Sequence, residues 1–376
     1  MNLSQPLQTK YRVLGLMSGT SMDGLDCGIF SISIDKDYHF HWDCIDFKTI
    51  RYNEKVRSII RASLGGDYLR GKITDLMLGQ VFAVYVKQFL NNREIDLIGS
   101  HGQTIQHNDG KFSQQVGDPQ YLYGEVEVPI VHDFRQGDIE AGGNGAPLMP
   151  FLDWLLFKEL DENIITLNVG GISNITCIPK NGKRDDVIGF DTGPGMAMID
   201  ECTRIYFTRS CDEDGELSKN GNLVPDLLEE LMLHPFISQQ PPKSSGRHEF
   251  SGELVKSMRK KYSQISIEDF LRTLVSFTAK SISYNLDKYG NFDISNSKLI
   301  VSGGGVFHPV FMDDLRRYCH VKQIESSIEV GIDPNMKESL LMAALAVAKI
   351  NNLHSNMRQV TGVTKWVSLG KIYKGN

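Results

Sequence analysis

The sequence predicts an α/β protein made of two similar lobes around a central cleft. A pattern of three short apolar strands followed by a helix begins near residue 13 and again near residue 164. In each copy a glycine-rich turn separates the first two strands, GLMSGTSMDGLD at 15–26 and LNVGGISN at 167–174. Such turns expose backbone N–H groups to an anion, so the pair predicts two phosphate-binding loops that face each other. A chain of 376 residues also fits two domains.

The first copy begins with strands whose apolar residues alternate with polar ones. Phe30, Ile32 and Ile34 alternate with serines, which is the period of a half-buried strand. Residues 73–90 instead carry apolar side chains at helical spacing. The predicted strands are 13–17, 27–34, 39–47, 95–99 and 128–132, and the predicted helices are 56–62 and 73–90.

The second copy repeats this order and adds longer helices. Ser266 followed by Asp269 predicts the N-cap of a long helix, and the proline-rich stretch 235–250 predicts a loop or flap. The predicted strands are 164–169, 175–178, 187–190 and 298–302, with a closing strand pair within 361–373. The predicted helices are 148–160, 196–207, 267–289, 309–318 and 338–351.

Composition excludes several classes of protein. The net charge is −6, and the one dense basic run, 259–261, is typical of a solvated face, so no nucleic-acid surface is expected. No run approaches 18 apolar residues, so no membrane span is expected. Six cysteines without metal-site spacing predict reduced thiols, and residues 1–10 lack the apolar core of a secretory signal. A cytoplasmic enzyme is expected, and a homodimer is left open.

The first glycine turn predicts a site for the β- and γ-phosphates of a nucleotide. Asp23 and Asp26 would repel phosphate, so they are predicted to hold Mg²⁺ through water. The Gly-Lys-Ser/Thr of a Walker A loop is absent, and a solvated loop with an Asx-turn is the alternative. The predicted nucleotide contacts in the two turns are Gly19, Thr20, Ser21, Met22, Asp23, Gly24, Leu25, Asp26, Gly170 and Gly171.

A third glycine segment, Gly303, Gly304 and Gly305, follows an apolar strand and precedes a helix. That position suits close approach of a nucleotide, with its ribose or α-phosphate near the helix start. A flexible connector is the alternative. Three consecutive glycines lose much conformational entropy on folding, which favours the nucleotide interpretation.

Asp191 is the candidate catalytic residue. In IGFDTGPG, residues 188–195, a strand delivers this aspartate to a tight turn that leads into a helix. A carboxylate held there, beside bound phosphates, is well placed as a general base. An N-cap aspartate is the alternative.

Polar loops follow two further apolar strands, SHGQT at 100–104 and the segment 133–147. Ligands bind at the open end of a sheet, so these loops predict a site for the hydroxyl, amide or carboxylate groups of a sugar. Ordinary solvated loops are the alternative, and for His101 a structural hydrogen bond is favoured over catalysis. The candidate substrate residues in these loops are His101, Gln103, Arg135 and Asp138.

These motifs resemble, in order, those of the anhydro-N-acetylmuramic acid kinase family, and the resemblance spans nearly the whole chain. It implies the actin-like ATPase/sugar kinase fold, with two ribonuclease H-like lobes around a central cleft. The N-terminal lobe is expected to comprise 1–132 plus about 350–376, and the C-terminal lobe 133–349. The matching segments are 15–26, 100–104, 133–138, 142–148, 168–174, 190–195, 243–247, 303–305 and Glu338.

The resemblance implies an ATP- and Mg²⁺-dependent kinase of cell-wall (peptidoglycan) recycling. Such an enzyme opens the 1,6-anhydro ring of anhydro-N-acetylmuramic acid and phosphorylates O6, giving N-acetylmuramic acid 6-phosphate and ADP. Asp191 would activate the attacking water, and Glu338 would join the substrate residues. Met196 stands where the family usually has Asn, which bears on substrate choice. The alternatives are a kinase for levoglucosan, a plain anhydro sugar, and a non-catalytic ATP-switched binding module.

Overall fold

The computed structural model describes residues 9–19, 22–65, 68–245 and 249–375. The chain divides into two compact units, a first unit of residues 1–156 with 335–376 and a second unit of residues 157–334. The strands of the described residues are β1 Tyr11–Ser18, β2 Gly24–Ile34, β3 Phe40–Arg51, β4 Leu97–Asn108, β5 Phe112–Val116, β6 Ile130–His132, β7 Asn163–Val169, β8 Ile172–Ile178, β9 Ile188–Pro194, β10 Ser297–Ser302, β11 Gln323–Ser326 and β12 Lys371–Tyr373.

Helices occupy most of the segments between these strands. Within the part of the chain that the structure describes, none of them is both long enough and apolar enough to cross a lipid bilayer. The helices are α1 Glu54–Ser63, α2 Tyr68–Leu90, α3 Pro119–Val126, α4 Phe134–Glu140, α5 Met149–Phe157, α6 Ala197–Tyr206, α7 Pro225–Met232, α8 Pro235–Ser238, α9 Gly252–Lys261, α10 Ile267–Tyr289, α11 Pro309–Tyr318, α12 Lys337–Ile350 and α13 Arg358–Thr361.

The first unit is built on a sheet with strand order β12-β6-β4-β1-β2-β3, and β5 extends β4 as a hairpin. Strands β1, β2 and β3 form an antiparallel meander because short turns connect them. Strand β4 returns parallel to β1 after α1 and α2, and β6 is parallel to β4. A parallel neighbour requires such a crossover, which helices supply.

The second unit repeats this arrangement in a sheet with order β11-β10-β7-β8-β9. Its first three strands are again antiparallel, and β10 and β11 are parallel additions beside β7. With the β5 hairpin and the terminal β12 set aside, each unit places its third, second, first, fourth and fifth strands side by side in the same order. This is the ribonuclease H-like topology, and the predicted fold class is confirmed.

Helix α12 lies directly on the sheet of the first unit, over β1 and β4. A Cβ atom built on Gly15 would stand 1.9 Å from the Ser339 carbonyl oxygen, and one on Gly99 would stand 2.1 Å from that of Met342. Only glycine permits this approach of helix to strand. The contact explains why the structure groups 335–349 with the first unit, whereas the sequence prediction grouped 133–349 together. Residues 133–156 also belong to the first unit.

Several element predictions match the structure closely, and others are corrected by it. Helices α10 and α11 have the predicted bounds, and the Ser266 Oγ accepts the Asp269 N–H at 3.0 Å as predicted for an N-cap. The predicted strand pair within 361–373 is wrong, because only β12 forms there and it pairs with β6. The predicted loop 235–250 contains the short helix α8.

Candidate functional site

The first glycine turn leaves β1 at Ser18, whose hydroxyl is buried in a polar network. Its Oγ lies 2.7 Å from the Tyr52 hydroxyl and donates a hydrogen bond to Gln103 Oε1 at 2.7 Å. The turn closes through the Met22 N–H, which donates to the Gly19 carbonyl at 3.1 Å. Predicted Gln103 thus sits at the base of this turn, although the prediction assigned it to the sugar. Predicted nucleotide contacts Thr20 and Ser21 lie outside the described residues.

The end of the turn enters β2, where packing accounts for two of the predicted nucleotide residues. A Cβ on Gly24 would lie 2.5 Å from the Ile50 carbonyl oxygen, so glycine allows β2 and β3 to pair closely. The Leu25 side chain is fully buried in the apolar core. These positions can offer only backbone atoms to a ligand, and their nucleotide role remains a prediction.

Three carboxylates of the first unit influence one another electrostatically. Asp26 is half-buried and accepts the Thr49 hydroxyl at 2.5 Å, and burial, reinforced by Asp23, raises its pKa. Burial and the Asp26 charge raise the pKa of Glu338, in the first turn of α12, while Arg135 acts in the opposite direction. Mutually repelling carboxylates of this kind favour a bound cation.

A directly chelating triad does not form from these groups. Among the described residues, the acidic and histidine side chains tight enough for one are Asp35, Asp37 and His39 in the β2–β3 turn. We propose no metal site at these three residues, because exposed acidic groups are common in proteins without a bound ion. The contact of Asp23 and Asp26 with Mg²⁺ through water remains a prediction.

Two of the predicted substrate residues, His101 and Arg135, are hydrogen-bonded to each other. The Arg135 Nε donates to His101 Nε2 at 3.0 Å, and His101 Nδ1 lies 3.0 Å from the Gly102 carbonyl oxygen. Because a guanidinium only donates, His101 must be neutral with its proton on Nδ1. Burial and the Arg135 charge lower the pKa of His101 to about 3, so the ring stays neutral and orients Arg135.

Asp138 supports the loop that follows α4. Its carboxylate is fully buried, accepts the Gly145 N–H at 2.9 Å and accepts the Thr361 hydroxyl at 2.9 Å. Burial raises the pKa of Asp138. These bonds hold the 142–147 loop against α13, so Asp138 stabilises the loop, and a substrate contact for it remains a prediction.

In the second unit, the turn between β7 and β8 packs against the turn that follows β9. The Gly195 N–H donates to the Gly171 carbonyl at 2.9 Å, and the Met196 N–H donates to the Gly170 carbonyl at 2.7 Å. A Cβ on Gly195 would stand 2.1 Å from the Gly170 carbonyl oxygen, whereas Cβ atoms on Gly170 and Gly171 would have no neighbour nearer than 3.9 Å. Gly195 is therefore needed for packing, and Gly170 and Gly171 leave open space above the turn.

The Gly303–Gly305 segment is a fitted part of the fold rather than a flexible connector. Gly303 has a φ of +83°, and its Cβ would lie 2.7 Å from the Val169 carbonyl oxygen; a Cβ on Gly305 would meet the Val169 side chain at 2.6 Å. Gly304 has no atom within 4 Å of its Cβ position and faces open space. The segment thus leaves the backbone of Gly304 open to a ligand beside the β7–β8 turn.

These glycines border a cavity of about 550 Å³ within the second unit. Gly170, Gly304, Met196 and Phe307 line it, together with acidic residues 212–214. This size suits a small-molecule ligand such as a nucleoside. Met196 therefore lines the same cavity as the predicted nucleotide residues Gly170 and Gly304, and its bearing on substrate choice remains a prediction.

Asp191 lies in β9 and is nine-tenths buried. Its Oδ2 accepts the Ser245 backbone N–H at 2.7 Å, and its own N–H donates to the Lys243 carbonyl at 3.1 Å. The N-cap alternative is wrong, because α6 begins after Met196. The Ser245 N–H fixes the orientation of the Asp191 carboxylate. The role of Asp191 as a general base remains a prediction.

Sequence reasoning assigned no role to Lys243, which the structure ties to Asp191. Its Nζ donates to the carbonyls of Phe236 and Ile237 at 3.0 and 3.1 Å and lies 4.7 Å from the centre of the Phe236 ring. Burial lowers the pKa of Lys243 to about 8, while Asp191 acts to raise it. The sequence signal that could have identified Lys243 is the segment 243–247, which belongs to the family resemblance. Arg247 of that segment lies outside the described residues.

Comparison with known proteins places the chain in one family. The family model for anhydro-N-acetylmuramic acid kinase matches residues 11–375. Curated relatives bearing that name include a protein of Francisella tularensis subsp. novicida, 35% identical, and one of Bacillus cereus, 33% identical. Each alignment covers 96% of this chain and 98% of the relative.

Among solved structures, the chain is similar to the activator of the 2-hydroxyisocaproyl-CoA dehydratase from Clostridium difficile with bound ADPNP. The TM-score is 0.45 at 14% identity, with coverage of 90% of this chain and 95% of that one. The family match extends over nearly the whole chain and includes every candidate site residue. The chain belongs to the anhydro-N-acetylmuramic acid kinase family.

Proposed function

We propose that this protein opens the 1,6-anhydro ring of anhydro-N-acetylmuramic acid with water and transfers the γ-phosphoryl group of ATP to O6. The products are N-acetylmuramic acid 6-phosphate and ADP. Family membership supports the reaction class. The observation that carries the mechanism is Asp191, a buried carboxylate fixed by the Ser245 N–H at 2.7 Å.

Asp191 takes a proton from water as the water oxygen attacks the anomeric carbon, C1. The C1–O6 bond breaks, and its electron pair goes to O6. O6 then forms a bond to the γ-phosphorus as the bond to the β–γ bridging oxygen breaks and ADP leaves. The water oxygen becomes the anomeric hydroxyl, and the proton on Asp191 returns to solvent. Positioning and electrostatic stabilisation supply most of the rate in phosphoryl transfer.

The glycine turns are proposed to bind the nucleotide through backbone N–H groups. Gly170, Gly171 and Gly304 in the second unit leave their backbone open to a ligand, and Gly19 in the first unit is partly exposed. Asp23 and Asp26 would hold Mg²⁺ through water, since their carboxylates lie beside the first turn. Mg²⁺ bound there would neutralise charge on the phosphate oxygens.

Arg135 is the proposed contact for the lactyl carboxylate of the sugar. Its Nε is fixed by His101 and one terminal nitrogen donates to the Gly145 carbonyl at 3.0 Å, so the guanidinium is held in one orientation for a carboxylate. Glu338 would accept from a sugar hydroxyl. A cytoplasmic location fits the use of ATP, and a homodimer is a further proposal that solution mass measurement tests.

The test is sugar-dependent ADP release by wild type and Asp191→Asn. Asparagine can keep the Ser245 hydrogen bond through its oxygen but cannot accept a proton, so we expect kcat to fall by about 10² to 10⁴. Asp161→Asn removes only an exposed ion pair with Lys180 in the same unit and serves as the matched control. A non-catalytic module would release no ADP in response to the sugar.

Isotope labelling tests the position of water attack. In H₂¹⁸O, we expect no label in the phosphoryl group of the sugar product, because the water oxygen bonds to C1. Label in the C6–O–P bridge would show attack of water on C6, and labelled inorganic phosphate without a sugar product would show attack on phosphorus. Either result would contradict the role proposed for Asp191.

A further inference from the structure

A cavity of about 440 Å³ lies at a gap in the edge of the first unit's sheet. Strand β6 pairs with β4 only through Ile98 and Gly99, and β5 begins to pair with β4 at Gln103. Residues 100–102 of β4 lie between these two ladders and line the cavity. The cavity is therefore formed by the divergence of β5 and β6, at the carboxyl side of the parallel strands, where ligands bind in α/β sheets.

Two buried polar atoms beside this gap lack hydrogen-bond partners among the described residues. One is the Ser100 Oγ, on a side chain only 2% exposed, and the other is the Gln115 Oε1. The Gln115 Nε2 donates to Thr104 Oγ1 at 3.1 Å and to Ser113 Oγ at 2.7 Å, which fixes the amide so that its oxygen is the unpaired atom. A buried polar atom without a partner is costly, so such atoms point to a ligand.

The charges around the cavity exclude an anionic ligand. Its walls carry the carboxylates of Asp75, Asp133 and Glu140, against the single cation of Lys371. Lys371 already forms an ion pair with Asp133 at 2.8 Å. A ligand carboxylate or phosphate would therefore meet net negative charge. The wall suits a neutral group that both donates and accepts hydrogen bonds.

We propose that this cavity receives the acetamido group of the anhydro sugar, which makes Ser100 and Gln115 determinants of substrate specificity. The amide N–H would donate to Gln115 Oε1, and the Ser100 hydroxyl would donate to the amide carbonyl, which matches the one donor and one acceptor of an amide. His101 lines the cavity and also contacts Arg135, so the acetamido site adjoins the proposed lactyl carboxylate site. This inference rests on the proposed function, from which it takes the sugar.

The test uses Ser100→Ala and two sugars. For anhydro-N-acetylmuramic acid we expect KM to rise about three- to tenfold, the loss of one neutral hydrogen bond, with kcat and the KM for ATP changed less than about twofold. Levoglucosan has no acetamido group, so its inhibition constant as a competing ligand should be the same for wild type and variant.

Ser327→Ala is the matched control, since its Oγ is also buried without a partner among the described residues but belongs to the second unit. It should leave the KM for anhydro-N-acetylmuramic acid and the inhibition constant of levoglucosan unchanged. An unchanged KM in Ser100→Ala, or an equal loss for both sugars, would overturn the acetamido site. Failure of the proposed function would look different, because wild type itself would then release no ADP with the sugar.

Discussion

Lys243 offers a quantitative test of how the second unit holds its candidate base. Replacing it with methionine keeps the length and apolar contacts of the side chain and removes the buried ammonium group. In the folded protein the pKa of Lys243 is lowered from 10.5 to about 8 by burial. Between these two values, the unfolded chain binds a proton that the folded chain has released.

The sign of the effect follows from this difference in bound protons. Stability rises with pH wherever the unfolded state binds more protons, so wild type should gain stability relative to Lys243→Met as pH rises above 8. Between pH 7 and pH 10 the gain is about 2 to 3 kcal/mol. The measurement is urea unfolding of both proteins by circular dichroism at several pH values, since other titrating groups cancel in the difference.

Lys260→Met removes a lysine from the exposed end of α9 and is the control with which the pH dependence is compared. A Lys243→Met difference that does not change between pH 7 and pH 10 would refute the claim that the ammonium is buried. The same variant probes Asp191, because loss of a nearby positive charge raises the pKa of a carboxyl group. The acidic limb of kcat/KM should therefore move to higher pH in Lys243→Met.

The remaining predictions concern both units. His101→Phe should raise the KM for the sugar about tenfold or more, because Arg135 loses its buried acceptor; the pKa of His101 is about 3, so the ring should not titrate between pH 5 and 8. An ionisation in the pH profile of kcat/KM in that range that disappears in His101→Phe would argue against a neutral ring. Gly195→Ala should lower the unfolding free energy by about 1–3 kcal/mol or more, because its Cβ would stand 2.1 Å from the Gly170 carbonyl oxygen. Gly171→Ala should leave thermal stability nearly unchanged and raise the KM for ATP, and normal ATP kinetics would exclude a phosphate contact there. Met196→Asn should alter the KM for ATP more than that for the sugar, and the reverse pattern would assign Met196 to the sugar side.

The duplicated strand–turn–strand pattern was readable from the sequence because it depends on local signals. Alternating residues such as Phe30, Ile32 and Ile34 indicate strand period directly, and the capping pair Ser266 and Asp269 marked the start of α10. Strand β5 and the second half of β4 escaped prediction because their residues are largely polar. Such strands form through pairing with each other, which no local window of sequence contains.

The position of Asp191 in a strand that leads into a glycine-rich turn was predictable, because one motif contains the residue and both elements. The hydrogen-bond partners of the candidate residues were not predictable where they are distant in sequence. The Ser245 N–H reaches Asp191 across 54 positions, and Thr361 reaches Asp138 across 223. The interpretation of Asp138 as a sugar contact came from its polar loop, and its burial under that loop depends on a segment near the other end of the chain.

The glycines beneath α12 have a consequence for how the protein is made. Residues 1–156 emerge from the ribosome before α12 has been synthesised. The surfaces of β1 and β4 at Gly15 and Gly99 therefore remain uncovered while residues 157–334 emerge. The second unit is continuous in sequence and can fold during that interval. Nascent chains thus pass through a stage in which the second unit can be folded while the surface later covered by α12 is still exposed to chaperones and to aggregation.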